Sequence, residues 1–425
     1  MRKERIKEVI LAQHSEQHKK EKRQSDLIER ELFQKIKKDK SNLVVIISGM
    51  RRVGKSTLIY LLRKEKKEKD YFLDFDDEKL LNFSVEDFEK MEEVFLELYG
   101  EQDTFYFDEI QNISGWERFV RRLHNEDKKV YITGSNASML SRELGTHLTG
   151  RYLPFTLFPF SFREFLNFKK VEPVHHNFTF LKIEKVKMKK AFEEYFRIGG
   201  FPEFLKLQDN YYLDMVYESV LYRDIIARYD LSREKPLKEL VLFVASNLGK
   251  SVSYNSLLKT IGVKNPTTVK QYFDYLENSY LTFLLTKFDY SLKKQMMNPK
   301  KMYFIDQALS SRIGFRFSQD RGRFLENVVF IELRRQGKEI FYFQEDGECD
   351  FVLRRGKKIT EAIQVATEMS NEKTRQREID GLLEAMSKFK LQKGLILTSD
   401  EEDAIRMNGR TIEILPIWKW LLKVK

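Results

Sequence analysis

The sequence predicts an α/β fold: a parallel sheet covered by helices, built around a glycine-rich loop and followed by a helical region and two smaller modules. Three observations predict it. Five short apolar runs, LVVIIS (43–48), YFLDF (71–75), TFYFD (104–108), VYITG (130–134) and YLPFTL (152–157), are continuous rather than alternating, as strands buried on both faces are. The stretches between them have the rhythm of helices. The first run leads directly into GMRRVGKS (49–56), which opens the apolar-periodic segment TLIYLLRK.

Composition narrows the class. The chain has 425 residues, 42% of them apolar, with 34 Phe and 19 Tyr against 19 Gly and 8 Pro. That excludes a disordered or low-complexity chain, and about 150 residues per domain suggests roughly three domains. No run approaches 18 uninterrupted apolar residues, so no membrane partner is expected. The N-terminus is charged throughout and lacks the apolar core of a secretory signal. A single cysteine, Cys349, excludes an internal disulfide framework and a multi-cysteine zinc site. Together these give the expectation of a cytoplasmic protein. None of the six histidines has metal-ligand spacing with partner acids, and His175-His176 reads as a loop pair. The net charge of +11 favours a polyanionic partner without identifying it, because most of the Lys and Arg solvate helix faces.

Taken in order, residues 1–40 read as a helical strap whose broken apolar stripe is Ile6, Val9, Ile10, Leu27, Ile28, Leu32, Phe33 and Ile36, with a loop in its polar middle around 13–25. Residues 41–165 hold the five strands. Residues 166–232 are helical and aromatic-rich, broken by Gly199-Gly200-Phe201-Pro202, and read as a lid. Residues 233–312 contain three helical segments and two apolar runs. Residues 313–425 return to a mixed pattern, with FLENVVFIELRRQ as helix and FYFQ, CDFVL, AIQVA and GLILTS as strands. There is no internal repeat.

GMRRVGKS matches G-x-x-x-x-G-K-[ST] in the strand-loop-helix context that this motif requires. Gly49 and Gly54 let the backbone fold into a nest of N–H groups, including those of Arg52, Val53 and Thr57, aimed at phosphate oxygens. Lys55 would reach the β and γ phosphates, and the Ser56 hydroxyl would ligate Mg²⁺. The expected cofactors are therefore ATP and Mg²⁺. The strand FYFDE then supplies two acids: Asp108 to hold Mg²⁺ and Glu109 to activate water as general base. Another strand, YFLDF, separates the loop strand from the acidic one in sequence. That order suits the P-loop branch that hydrolyses ATP to ADP and phosphate. Asn136, at the end of KKVYITGSN, reads as a sensor of the γ-phosphate, although Ser135 or Asn136 would equally well cap the helix ASMLSREL. Arg151, after Gly150, reads as an arginine finger or a structural ion-pair residue.

The segments GMRRVGKSTL, FDEIQNISGWERFVRRL, ITGSNASML, TGRYLPFTLFPFSFREFL and GGFPEF resemble an archaeal and bacterial family of AAA-type P-loop ATPases. Its members carry a C-terminal restriction-endonuclease-like domain of unknown function. The likeness runs on through LYRDIIARY, TTVKQYFDYLENSYL, KMYFIDQAL, RGRFLENVVFIEL, ECDFVL and AIQV, and so covers nearly the whole chain from about residue 25. The resemblance implies an ATP-binding fold, a winged-helix module and the terminal domain.

The residues of 233–312 agree with a winged helix. Asn265 is placed to cap a helix with Pro266 at its first position, presenting Thr267, Thr268, Lys270 and Gln271 outward as a DNA-reading helix does, with Tyr272, Phe273, Tyr275 and Leu276 turned to the core. LTFLLTKFDY paired with KMYFID would form the wing. In 313–425, Glu326, Asp350 and Gln364 could fill the acidic places of a PD-(D/E)XK-type nuclease. The lysine of that pattern falls on Ala366, which has no ammonium, so the site reads as one that has lost cleavage unless Lys357 or Lys358 moves in.

The expectation is thus an Mg²⁺-dependent ATPase coupling nucleotide state to winged-helix and nuclease-like modules, with ATP/ADP and DNA as partners. A finger acting in trans would require a homo-oligomer. The alternative is a nucleotide-dependent switch or scaffold with a protein partner and little turnover.

Overall fold

The computed structural model describes residues 1–23, 27–65, 71–136, 148, 150–172, 182–315 and 321–423, the side chains of 18–23 excepted. The chain forms two compact units, Met1–Phe158 and Pro159–Lys425. Among the described residues no helix is long and apolar enough to cross a membrane.

The first unit is a five-stranded sheet in the order β2-β3-β4-β1-β5, every neighbouring pair parallel. Its strands are β1 (Val44–Ser48), β2 (Tyr71–Asp74), β3 (Thr104–Asp108), β4 (Lys129–Gly134) and β5 (Tyr152–Thr156). Val44, Val45, Ile46 and Ile47 of β1 are fully buried, as a central parallel strand with helices on both faces demands. β5 departs from the uniform burial its apolar run suggests: it is only half-buried. It lies at the sheet edge, the place where Pro154, with no N–H to donate, does least harm to the ladder.

Helices α1 (Lys3–Arg23), α2 (Glu31–Lys37), α3 (Lys55–Lys64), α4 (Phe88–Tyr99) and α5 (Trp116–Asn125) complete this unit. α1 corrects the expectation of a loop around 13–25, because it runs unbroken to Arg23. Its Ile6, Val9 and Ile10 sit in the same core cluster as Phe88, Val94 and Phe107. The Met1 amino group pairs with Asp87 at 2.7 Å, and Gln13 bonds both the carbonyl and the amide of Asp74, which holds the helix against the end of β2. Burial of one face anchors the helix, and the polar stretch, rich in Gln, Glu, Lys and Arg that favour helix, continues it.

The second unit carries two sheets. A three-stranded antiparallel sheet, β6-β8-β7, joins β6 (Ser251–Val252), β7 (Thr282–Thr286) and β8 (Lys300–Phe304), with Phe283 opposite Tyr303. Helices Lys235–Ser246, Tyr254–Leu257 and Pro266–Asn278 precede β7. The second sheet has the order β13-β14-β12-β11-β10-β9, with β9 (Glu339–Gln344), β10 (Glu348–Arg355), β11 (Lys358–Val365), β12 (Lys393–Thr398), β13 (Asp403–Met407) and β14 (Arg410–Pro416). The helix Arg321–Arg335 is buried at every position from Phe324 to Leu333.

One half-buried acid contributes to the pH sensitivity of this unit. Glu277 accepts the Leu284 N–H at 2.9 Å. Burial pushes its carboxyl up to about 7, against the Leu284 N–H and Arg334, which lower it. Native Glu277 keeps its proton where an unfolded glutamate has ionised. Its contribution to stability is therefore complete below the ordinary value of 4.5 and is lost as pH rises through about 7. Glu277→Gln cannot ionise. Chemical denaturation at pH 5 and pH 8 should show the wild type losing more stability across that window than the variant; equal losses would refute the assignment.

Candidate functional site

The phosphate loop connects β1 to α3 at the C-terminal edge of the first sheet. Gly49 has φ +151°, and a Cβ there would lie 2.3 Å from the Leu157 carbonyl oxygen. Gly54, at φ +99°, is the N-cap of α3. Between them Arg52 adopts φ +66°, a left-handed conformation uncommon outside glycine. Val53 is buried, and Thr57 begins the second step of α3. The N-terminal end of α3 thus opens into the loop, as anion recognition requires.

Lys55 is 5% exposed and its ammonium is fully occupied. It donates to the Gly49 carbonyl at 3.1 Å and the Met50 carbonyl at 3.3 Å, and pairs with Glu109 Oε1 at 3.1 Å. A buried cation needs such partners, since desolvation costs several kcal/mol per ion. Glu109 itself has φ +49° and receives a hydrogen bond from Gln111 Nε2 on its other oxygen. Burial works against its charge, but Lys55, Gln111 and Arg51 prevail and bring its pKa down to about 2.

The strand order explains how both acids are held. β4 separates β1 from β3, and Thr133 on β4 bridges the gap. Its hydroxyl accepts the Glu109 N–H at 2.9 Å and donates to Asp108 Oδ1. Asp108 also accepts from the Ser56 hydroxyl. Burial, followed by the Glu109 charge, pushes the Asp108 carboxyl up, against the bonds from Ser56 and Thr133. Its neighbour in register, Asp74, is raised to about 7 by burial and then by Asp108. A carboxylate and a hydroxyl that already touch at the mouth of a phosphate loop, within a field of excess negative charge, are a donor set that fits Mg²⁺.

The structure therefore brings Gly49, Gly54, Lys55, Ser56, Asp108 and Glu109 together. Asn136 is buried just beyond the end of β4, where Gly134 pairs with Ser48, and so lies on the same edge. Ser135 beside it is fully buried, its hydroxyl without a hydrogen-bond partner among the described residues. The helix ASMLSREL lies outside the described residues. Arg151 lies apart from these site residues. It precedes β5 at the opposite edge of the sheet, where its carbonyl accepts the Val44 N–H and its guanidinium donates to Asn125 at 2.8 Å. Four residue steps of β1, about 13 Å, separate that edge from the loop, so Arg151 cannot reach a phosphate held by its own chain.

Several contributors escaped the sequence reading. Thr133 and Gln111 stand next to recognised motifs, and their short spacing from the strand ends was the available signal. Arg30 had none: its guanidinium donates to the Val53 carbonyl at 2.8 Å and the Phe158 carbonyl at 2.6 Å, fixing the loop from outside the motif.

In the second unit Asn265 caps the helix Pro266–Asn278 through Thr267 N–H. Thr267, Lys270 and Gln271 are exposed and Thr268 is half-buried, while Tyr272, Phe273 and Leu276 are buried and Tyr275 stacks on Tyr229 at 3.8 Å. Glu326, Asp350 and Gln364 converge on one buried cluster. Lys357 and Lys358 do not join it; they are exposed at the β10–β11 turn, where Lys358 pairs with Arg355. Among the described residues no group of three or more His, Cys, Asp or Glu is arranged to hold a metal ion.

Comparison with known proteins places this arrangement. Residues 41–166 match the model of an AAA domain, and 189–319 and 321–420 match two domains of unknown function, DUF8612 and DUF4143. The uncharacterized protein MJ1544 of Methanocaldococcus jannaschii is 32% identical over 401 residues, covering 90% of this chain and 88% of its own. The chain belongs to its family. An uncharacterized protein of Haemophilus influenzae is 30% identical over 403 residues, 90% of this chain and 95% of that one. Among solved structures, the RuvB Holliday junction branch migration motor of Thermotoga maritima is 16% identical over 60% of this chain and 89% of that one, with a TM-score of 0.30. On the family-model matches, residues 41–166 of this family member are an AAA domain carrying the P-loop, and the regions after it are domains of unknown function.

Because a Cβ at Gly49 would strike a backbone carbonyl, Gly49→Ala must open the loop. Its affinity for a fluorescent ATP analogue should fall at least tenfold (about 1.4 kcal/mol); wild-type affinity would show that the cup tolerates a side chain there.

Proposed function

We propose that this protein is a DNA-associated, Mg²⁺-dependent ATPase that couples its nucleotide state to a winged-helix module and a nuclease-like module. The observation that carries the first part is the meeting of Lys55, Ser56, Asp108 and Glu109 at one end of the sheet, with Lys55 and Glu109 3.1 Å apart.

The chemistry follows from that pair. The loop amides and α3 attract the phosphate tail. Lys55 must then exchange Glu109 for phosphate oxygens, and the phosphate supplies the negative charge that the buried ammonium needs. Glu109, released from Lys55 and still bonded to Gln111, becomes free to accept a proton from a water molecule. Ser56 and Asp108 would hold Mg²⁺, which when bound neutralises charge on the phosphate oxygens. Thr133 keeps both acids in place, and Asn136 or Ser135 stands where a group sensing the terminal phosphate would stand. Arg151 fits only a role in trans, on the nucleotide of a neighbouring copy.

Lys55→Ala should abolish tight ATP binding. Glu109→Gln should bind ATP and release phosphate about 10²–10⁴-fold more slowly, the range typical of a lost general base. Phosphate-release kinetics and nucleotide binding measure both, and unimpaired turnover in the second variant would remove Glu109 as the base. A second reading, a switch with little turnover, draws on the engagement of Glu109 by Lys55 and Gln111. It predicts nucleotide binding with negligible phosphate release from the wild type.

Support for DNA association is the basic charge together with the exposed Thr267, Lys270 and Gln271 on a capped helix. Affinity for duplex DNA should fall steeply with salt, and Lys270→Ala should reduce the salt slope by about one. No binding at low salt would favour a protein partner instead.

A further inference from the structure

The acidic cluster of the C-terminal region already contains a cation. Lys301 on β8 is 2% exposed, yet its ammonium lies 3.0 Å from Glu326 Oε1, 2.8 Å from Asp350 Oδ1 and 2.5 Å from Glu348 Oε1. It reaches this point from the three-stranded sheet, whereas Asp350 and Glu348 belong to β10 and Glu326 to the helix Arg321–Arg335. The remaining bonds are complete. Tyr303 donates its hydroxyl to Glu326 at 2.6 Å, Val365 N–H donates to Asp350 Oδ2 at 3.0 Å, and Gln364 accepts the Asp350 N–H at 3.0 Å while donating to Glu378. Ala366, where a nuclease would carry its lysine, is buried and its amide is bonded to Leu397.

Two carboxylates that converge on one point with a glutamine beside them are the arrangement that holds a divalent cation in metal-dependent phosphodiester cleavage. Here the point of convergence holds an ammonium. We propose that Lys301 is the resident cation of this pocket, standing where a divalent metal would stand, so that the pocket takes up no metal, cuts no phosphodiester and instead fastens β8 to the helix Arg321–Arg335 and β10.

The electrostatics agree with the geometry. Burial opposes the charge of Lys301, but Asp350 and Glu326 outweigh it and hold its pKa well above the ordinary value. Burial and the Asp350 charge raise Glu326 to about 7, which Lys301 moderates. Removing the ammonium would leave uncompensated buried carboxylates, the costly half of a broken buried pair. A divalent ion is the natural replacement.

Mn²⁺ titration followed by electron paramagnetic resonance, on the full chain without nucleotide, tests this. Wild type and Asp350→Asn should bind Mn²⁺ identically, and neither should nick plasmid DNA with Mg²⁺ or Mn²⁺. Lys301→Met should gain a Mn²⁺ site at least tenfold tighter than any Asp350-dependent binding in the wild type, and Lys301→Met/Asp350→Asn should lose it. Because the single variant is expected to be destabilised, its melting temperature gives a second readout. It should rise by about 2 °C with Mn²⁺ at ten times its Kd, and the double variant's should not. Mn²⁺ binding or DNA nicking by the wild type that disappears in Asp350→Asn would overturn the proposal. So would a folded Lys301→Met variant that gains no Mn²⁺ site.

Discussion

The ammonium of Lys55 cannot be left alone. Shielded from water at the end of a parallel sheet, it needs a counter-charge, and the chain supplies one from two strands away in Glu109. Much of the N-terminal unit serves that requirement. Gly49 and Met50 turn their carbonyls towards the ammonium, Thr133 carries the backbone of Glu109, Gln111 fixes its free oxygen, and Arg30 holds the loop from behind. The same requirement underlies the proposed function: a ligand that brings negative charge to Lys55 would compete with Glu109, and binding and activation would then be one event rather than two.

The second unit solves the same electrostatic problem differently. Lys301 is as buried as Lys55, but where Lys55 pairs with one carboxylate and two backbone carbonyls, Lys301 meets carboxylates from separate elements. The difference lies in the surroundings. The cup around Lys55 is lined by backbone amides and opens at a helix end, so phosphate can replace the acid. Around Lys301 the acids are themselves tied to Tyr303 and the Val365 amide. One lysine is poised for exchange and the other is locked.

Helix α1 illustrates how tertiary contacts decide what a polar composition leaves open. Its middle is polar enough to read as a loop, yet it stays helical because Ile6, Val9 and Ile10 enter the core and Gln13 reaches the end of β2. β5 illustrates the reverse. Its apolar run suggests a central strand, but Pro154 suits the edge position, and Arg151, read as an arginine finger or a structural ion-pair residue, is carried to the far end of the sheet by the direction of the strand.

The loop GMRRVGKS, the strand ending in Asp108-Glu109, the buried runs of the sheet and the capped helix at Asn265 were all legible in the sequence. Each is a local pattern whose chemistry and backbone geometry are complete within a few residues. Strand order, which inserts Thr133 between β1 and β3, and the partners of Arg30, Gln111 and Lys301 were decided by the tertiary structure alone. Those contacts join residues distant along the chain through non-local pairing. No local spacing encodes which buried charge will find which counter-charge once the sheets have formed.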